Sequence, residues 1–219
     1  MWNDLAFLHW PVPASLVAPL IPRGLTVDEY DGRAWIAVVP FWMSGVTMRG
    51  VPPLPAISTF PELNVRTYVR HGDRPGIWFF SLDAASRLTV FGGRLLFRLP
   101  YFFAQMGLEQ REGRIHYYSR RRGGARFVAT YGPTGPVHKA EPGSLEHFLT
   151  ERYRLYAAER ETVSFADIHH VPWSLQLGSI DIERNDMLTA NRLSAEGAPL
   201  VHFAKRLDVV IWPLQKLVR

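Results

Sequence analysis

Cysteine is absent from the sequence, which excludes disulfide bonds, thiol catalysis and zinc–thiolate sites. Lysine is scarce: only three of the 25 basic residues are lysine, and the rest are arginine. Arginine favours fixed, bidentate pairing with carboxylates or phosphates, so we expect part of the net charge of +5 to be structural. No segment has the HExxH or HxH spacing of a metal site, and we expect neither a metal nor a cofactor.

Long hydrophobic runs are missing too. The longest, residues 34–43, is too short to span a bilayer and contains Pro40. The opening stretch MWNDLAFLHWPVP has Asp4 where a secretory signal has basic residues, and two prolines where such a signal has its apolar core. We therefore expect a cytoplasmic protein with no membrane partner.

Glycine and proline, 17 of each, divide the chain into short segments that mostly alternate with a period of two. The chain is long enough, and at 47% hydrophobic content apolar enough, to bury one large core. We predict a single domain over residues 1–219 of the α+β class, built on a mostly antiparallel β-sheet or barrel with a few peripheral helices.

Turn signals place the elements along the chain. Three hairpins are predicted: 25–30 with 33–41 across Asp31-Gly32, 62–70 with 76–82, and 114–119 with 126–131. Further strands are predicted at 162–169, 176–182 and 200–212. Helices are predicted at 14–20, at 100–106, and at 144–158 with Ser144 as N-cap.

The first candidate site is the predicted strand PELNVRTY, residues 61–68. Alternation places four polar side chains on one face: Glu62, Asn64, Arg66 and Tyr68. This face is either exposed or turned into a barrel. In a barrel, a carboxylate and a guanidinium two pleats apart would suit the binding of an organic acid or would control each other's pKa. The next strand, IWFFSLD, is apolar on both faces, which favours the interior position.

Two further clusters carry ionisable groups. Asp83 ends the apolar strand and Arg87 follows four residues later, so we predict an ion pair between them. The adjacent His169 and His170 would point in opposite directions on a strand and could not share a metal. His170, close to Trp173, either lines a pocket as acid, base or hydrogen-bond donor or is simply packed.

Lys205 lies among apolar residues of the last long predicted strand. A desolvated amine has a lowered pKa and can attack a carbonyl, which makes Lys205 the one candidate for Schiff-base chemistry; a lysine that extends from a strand into solvent is the commoner alternative. The basic run 120–126 beside Tyr117 and Tyr118 is the only feature typical of nucleic-acid binding. A solvated hairpin tip explains the same residues, so a nucleic-acid partner is not expected.

Residues 92–105, GGRLLFRLPYFFAQ, form a strand-like run with recurrent arginines. The run resembles the acetoacetate decarboxylase pattern, in which Gly-Arg is followed at the same spacing by Pro-Lys-Lys. In that family the first lysine forms the Schiff base and the second lowers its pKa. Here Tyr101 and Phe102 occupy these positions, and neither side chain can form an imine.

The wider chain is similar to the uncharacterised YqjF-like branch of the acetoacetate decarboxylase-like superfamily. The segments that carry the resemblance are residues 10–43, with LIPRGL and DGRAW, and the motifs ELNVRTY, GIWFFSLD, PYFFA and HVPW. The resemblance implies a cone-like, mostly antiparallel barrel with a central cavity and peripheral helices. It also implies that Glu62 is placed like the acidic residue that lines the cavity of the decarboxylases.

These observations lead to a functional hypothesis without a Schiff base. Glu62 would move a proton, Arg66 would hold a carboxylate or enolate, and Tyr101 would donate a hydrogen bond to a carbonyl oxygen. The expected ligand-binding residues are Asn64, Tyr68, His170 and Trp173. The ligand would be a small keto or carboxylic acid, and the alternative is a protein that binds such a molecule without turning it over. A homo-oligomer is compatible with the sequence.

Overall fold

The computed structural model describes residues 1–46, 58–160 and 162–217. In these ranges the first strands are β1 (Trp2–Val12), β2 (Thr26–Val27), β3 (Ala34–Met43), β4 (Phe60–His71), β5 (Arg74–Ala84), β6 (Tyr101–Arg111) and β7 (Arg114–Arg121). The later strands are β8 (Arg126–Pro133), β9 (Arg154–Glu159), β10 (Thr162–His169), β11 (Leu175–Asn185), β12 (Leu200–Leu207), β13 (Val210–Ile211) and β14 (Gln215–Lys216). The helices are α1 (Ala14–Val17), α2 (Arg87–Phe97), α3 (Leu145–Thr150) and α4 (Met187–Ala190), with a 3₁₀ turn at Ala18–Leu20.

Nine of the strands form a closed ring. Their order is β4-β5-β6-β7-β8-β11-β12-β1-β3, after which β3 pairs with β4 again. The neighbours are antiparallel except for a short parallel stretch in which residues 82–84 of β5 pair with residues 101–103 of β6. Closure removes the free edges of these strands.

A second ring shares strands with the first. One edge of β5 pairs with two different strands. The end of β5 pairs with β6, and the beginning of β5 pairs with β9, where Ile77 lies opposite Leu155. Strand β10 pairs with β9 and with β13, and β13 follows β12 after only two residues. The order β12-β1-β3-β4-β5-β9-β10-β13 therefore returns to its starting point through the chain connection between β12 and β13.

The shared strands have two buried faces. On β4, Leu63 and Val65 pack inside the first ring together with Tyr117, whereas Phe60 and Tyr68 pack inside the second. Each ring therefore has its own apolar core. Burial on both faces explains why β3 and β5 are apolar in sequence without strict alternation.

The predicted α+β class and the mostly antiparallel barrel are confirmed. The second and third predicted hairpins are β4–β5 and β7–β8, and strand 162–169 is β10. The turn at Asp31-Gly32 is present, with positive φ at both residues, but it closes only an isolated bridge between Tyr30 and Arg33. The first predicted hairpin is wrong, because β2 pairs with β4 rather than with β3.

Two predicted helices are wrong in extent or type. Residues 101–106 belong to strand β6, since backbone groups there pair with β5 and β7. The helix predicted over 144–158 has the expected Ser144 N-cap but ends at Thr150. Arg152 donates through Nε to the carbonyl oxygen of Phe148, and the chain then continues as β9 along β5.

Helix α2 occupies residues that read as strand-like in the sequence. The Ser86 side chain accepts a hydrogen bond from the Thr89 N–H at its start, and Arg98 ends it with a φ of 53°. Large apolar residues lie on its exposed side, including Leu88, Phe91 and Leu95, so its sequence lacks the usual polar face. No helix of the described residues is long and apolar enough to cross a membrane.

Candidate functional site

The polar face of β4 lies inside the second ring. Glu62 and Arg66 are 2% and 5% exposed, and Asn64 and Tyr68 on the same face are also buried. These residues alternate regularly along β4. The pairing of β4 with β3 has no bulge, and the single bulge in its pairing with β5 lies on β5. The predicted interior position of this strand face is what the structure has.

Glu62 and Tyr101 meet in a buried hydrogen bond. The Tyr101 hydroxyl donates to Oε2 of Glu62 over 2.9 Å. Strand β5 brings the two residues together, since Ala84 pairs with Glu62 on one edge and Leu82 with Tyr101 on the other. Helix α2 covers Tyr101: Arg94 Nε donates to its carbonyl oxygen over 2.7 Å, and a Cβ placed on Gly93 would lie 2.4 Å from its ring.

Burial changes the acid–base properties of this pair. Desolvation raises the pKa of Glu62 to about 8; the hydrogen bond from Tyr101 lowers it and the charge of Asp83 raises it. The pKa of the Tyr101 phenol is raised well above its usual value by burial and by Glu62. The Glu62 carboxyl group is therefore mostly protonated at pH 7 and titrates close to neutral pH, as is required of a general acid or base.

Arg66 is a buried cation without a countercharge among the described residues. Its guanidinium lies over the rings of Phe7, at 5.2 Å, and Tyr68, at 5.8 Å. It shares a hydrogen bond with Tyr68, but it makes no ion pair with any described residue, and its Nε has no hydrogen-bond partner there. A buried guanidinium without a countercharge is costly, so this position favours an anion.

His9 of β1 is a site residue that the sequence did not reveal. The Tyr68 hydroxyl donates to the carbonyl oxygen of Leu149 over 2.8 Å, so it accepts from Nε2 of His9, 2.6 Å away. This assigns the proton to Nε2 and leaves Nδ1 as an acceptor with no partner among the described residues. Burial, Arg66 and His202 all lower the pKa of His9, so its ring is neutral at pH 7.

The strand register aligns these groups. Ala37 on β3 pairs with His9 on one side and with Arg66 on the other, so a small side chain separates the two polar ones. A buried histidine in an otherwise apolar strand, opposite an alanine, was the only signal in the sequence. Finding it requires the pairing of β1 with β3.

Further buried polar atoms of the second ring lack partners among the described residues. Asn64 Oδ1 and Trp173 Nε1 are two of them. Trp173 packs against Phe7 with ring centroids 4.9 Å apart, which places it near Arg66. Buried polar atoms of this kind are usually satisfied by water or by a ligand.

His170 sits in a packed ring stack. Its ring lies 4.5 Å from that of Tyr153 and 5.5 Å from that of Trp173, and its Nδ1 is 2.8 Å from the Val171 carbonyl oxygen. His170 and Trp173 are thus adjacent, as predicted. Their role as ligand-binding residues stays a prediction.

Lys205 follows the commoner alternative of a lysine that extends into solvent: its side chain is 68% exposed, and it pairs with Asp4 of β1. The predicted ion pair between Asp83 and Arg87 is wrong. Asp83 faces the first ring, where Arg121 Nε donates to it over 2.6 Å and Ser119 Oγ over 3.3 Å, because β7 lies closer to it than the start of α2.

No group of three or more potential metal ligands occurs among the described residues. Among the described residues, Glu62, Arg66 and Tyr101 line neither the cavity of about 780 Å³ nor the cavity of about 430 Å³. The candidate site is defined here by its buried atoms without hydrogen-bond partners.

Comparison with known proteins gives both a family and a fold. The model of the family DUF2071, described as an uncharacterized conserved protein, matches residues 1–208. The uncharacterized protein YqjF of Bacillus subtilis (strain 168) is 45% identical over 218 residues, which cover 98% of this chain and 90% of YqjF.

Solved structures agree with the fold. An acetoacetate decarboxylase-like enzyme from Sphingomonas wittichii RW1 has a TM-score of 0.66 at 17% identity, over 99% of this chain and 91% of that one. The enduracididine biosynthesis enzyme MppR complexed with pyruvate has a TM-score of 0.63 at 12% identity, over 97% of this chain and 86% of that one. At these identities the likeness shows the fold alone. The chain therefore belongs to the DUF2071 family, and it shares its fold with acetoacetate decarboxylase-like proteins.

Proposed function

We propose that the second ring binds a small keto or carboxylic acid whose carboxylate pairs with Arg66. The observation that carries the proposal is the burial of this guanidinium without an ion-pair partner among the described residues. A carboxylate ligand would supply the missing charge in a bidentate arrangement. The neutral His9 and the amide of Asn64 lie on the same face and offer further hydrogen-bonding atoms.

Glu62 and Tyr101 would act on the bound acid. Glu62 takes a proton from the carbon next to the carbonyl or returns one, since its pKa of about 8 permits both directions near neutral pH. The Tyr101 hydroxyl donates to the carbonyl oxygen, where negative charge develops in the enolate. The reaction needs no imine. All three lysines are exposed, so none of them is a desolvated amine that could form an imine.

The comparisons support this proposal only at the level of fold. The solved neighbours include an acetoacetate decarboxylase-like enzyme and an enzyme crystallised with pyruvate. The second candidate function is binding without turnover. It is favoured by the loss of the lysine pair at Tyr101 and Phe102, which removes the catalytic group of the decarboxylases from this chain.

Binding and proton exchange can be measured separately. We expect isothermal titration to show saturable binding of pyruvate by the wild-type protein. Arg66→Gln should weaken it by about tenfold or more, because a charge-assisted hydrogen bond contributes about 1.5–3 kcal/mol. Lys205→Gln is the matched control, since it removes an exposed cation, and should leave binding unchanged.

Proton abstraction has its own readout. Exchange of the pyruvate methyl protons in D₂O, followed by NMR, should be faster with the wild-type protein than without it. Glu62→Gln should slow the exchange by about 100-fold while keeping the affinity, and Tyr101→Phe should slow it as well.

The outcomes separate the two candidate functions. Absence of binding to pyruvate and to acetoacetate, or equal affinity in Arg66→Gln, would refute the organic-acid site. Binding without exchange in the wild-type protein would establish the non-catalytic function instead.

A further inference from the structure

We propose that the cavity between the start of α2 and the tip of the β7–β8 hairpin binds a phosphorylated small molecule. This cavity of about 780 Å³ is lined by four arginines, Arg87, Arg120, Arg121 and Arg122, together with Phe103 and the glycines of the hairpin tip. Its volume is in the range of small-molecule sites. It shares no lining residue with the organic-acid site, so the inference is independent of the proposed function.

The cavity carries an excess of positive charge. Arg121 is neutralised by Asp83, but the other three arginines form no ion pair with any described residue. The local sequence explains this: residues 84–108 and 113–140 contain no aspartate or glutamate. Concentrated unpaired charge in a concave surface attracts anions more strongly than the same charge on a flat surface.

Part of the lining is held in place before any ligand arrives. Arg121 is 10% exposed, donates to Asp83 over 2.6 Å and lies over the Phe102 ring at 4.3 Å. Arg87 lies over the Phe103 ring at 4.9 Å. Guanidinium groups stacked on aromatic rings lose less freedom when they bind a ligand, and their planar forks match phosphate oxygens.

The hairpin tip leaves the cavity open. Gly123 and Gly124 have φ values of 114° and 122°, which residues with a side chain rarely adopt. Both glycines line the cavity and contribute only backbone atoms to it. Two hydrogen bonds fix the tip, from Arg121 N to Ala125 O over 2.9 Å and from Gly124 N to Arg121 O over 3.3 Å. The neighbouring Arg120 and Arg122 are exposed and able to reach a ligand.

A phosphate ligand explains these features better than a nucleic-acid strand or solvent alone. A single-strand site is a groove with an aromatic platform for each of several bases, whereas Phe103 is the one aromatic residue among those that line this cavity. A solvated hairpin tip explains the exposed Arg120 and Arg122, but it does not explain why they meet Arg87 in one concave surface.

Pyrophosphate is the probe that tests the inference. We expect it to bind saturably at 150 mM sodium chloride in a titration calorimeter. The double variant Arg120→Gln/Arg122→Gln should lose at least about tenfold in affinity, as expected for lost charge-assisted hydrogen bonds. The matched control Arg23→Gln/Arg33→Gln removes two exposed charges elsewhere and should bind as the wild type does.

Several results would overturn the inference. These are equal losses in both double variants, no binding of pyrophosphate by the wild type, or binding only to anionic lipid vesicles or to single-stranded DNA. Pyruvate affinity should be unchanged in Arg120→Gln/Arg122→Gln, and this measurement distinguishes failure of the phosphate site from failure of the organic-acid site.

Discussion

Glu62 and Arg66 are ionisable side chains that the fold keeps away from water on the same strand. Glu62 shares a hydrogen bond with Tyr101 and responds to burial by holding its proton. Arg66 cannot respond in this way, because a guanidinium stays charged. A buried carboxyl group that holds a proton and, on the same strand face, a buried cation without a countercharge among the described residues are the combination expected where an anion binds and a proton moves.

The raised pKa of Glu62 predicts a specific pH dependence of stability. In the unfolded chain the group loses its proton near pH 4.5, whereas in the folded protein it keeps it to about pH 8. Between these values the folded state binds more protons, so the free energy of unfolding should fall as pH rises, by up to about 1.4 kcal/mol per pH unit. Urea unfolding of the wild type and Glu62→Gln at pH 5 and pH 8 measures this.

The difference between the two proteins isolates Glu62. Asp83, whose pKa is raised to about 6 mainly by burial, contributes in the same direction but is present in both. The stability advantage of the wild type over Glu62→Gln should therefore be larger at pH 5 than at pH 8. An identical difference at both pH values would contradict the raised pKa.

Helix α2 shows how one element positions a site residue. Gly92 and Gly93 lie next to each other in the helix, yet only Gly93 faces the Tyr101 ring. A methyl group at Gly93 would be 2.4 Å from that ring, whereas one at Gly92 would meet no atom within 4 Å. The helix can approach β6 so closely because position 93 has no side chain.

Substitution by alanine should therefore have opposite effects at these two positions. Gly92→Ala should stabilise the protein by about 0.5–1 kcal/mol through higher helix propensity. Gly93→Ala should destabilise it by about 1–3 kcal/mol, since the clash with Tyr101 outweighs that gain. Thermal unfolding of both variants checks the signs, and stabilisation by Gly93→Ala would show that α2 does not press on Tyr101.

Sequence patterns predicted some elements better than others. The β4–β5 and β7–β8 hairpins and strand β10 follow from alternation and turn residues, which act over neighbouring positions. Helix α2 and strand β6 were misassigned. In α2, large apolar residues lie on the exposed side, so the usual helical pattern is missing. In β6, the proline before the strand resembles the first residue of a helix, but pairing with β5 keeps the backbone extended.

In the molecule as a whole, two rings are joined through shared strands. β1, β3, β4, β5 and β12 contribute one face to each core, so neither ring can lose its strands without exposing both cores. Chain regions coupled in this way are expected to unfold together.

Cooperative unfolding can be tested with one cavity variant in each core. Leu63→Ala in the first ring and Ile77→Ala in the second should each lower the free energy of unfolding by about 2–5 kcal/mol. In both variants tryptophan fluorescence and far-ultraviolet circular dichroism should change at the same urea concentration. Two separate transitions in either variant would mean that the rings are independent units.

Local information in the chain was enough to predict the β-rich class, the polar face of β4 and the absence of a Schiff-base lysine at Tyr101 and Phe102. These properties depend on residue identity and on the period of two along a strand. Only the tertiary structure placed His9 beside Tyr68, joined Glu62 to Tyr101, and exposed Lys205 to solvent. Those relations depend on which strands pair and in what register, and pairing between distant segments is decided by the packing of the whole chain rather than by neighbouring residues.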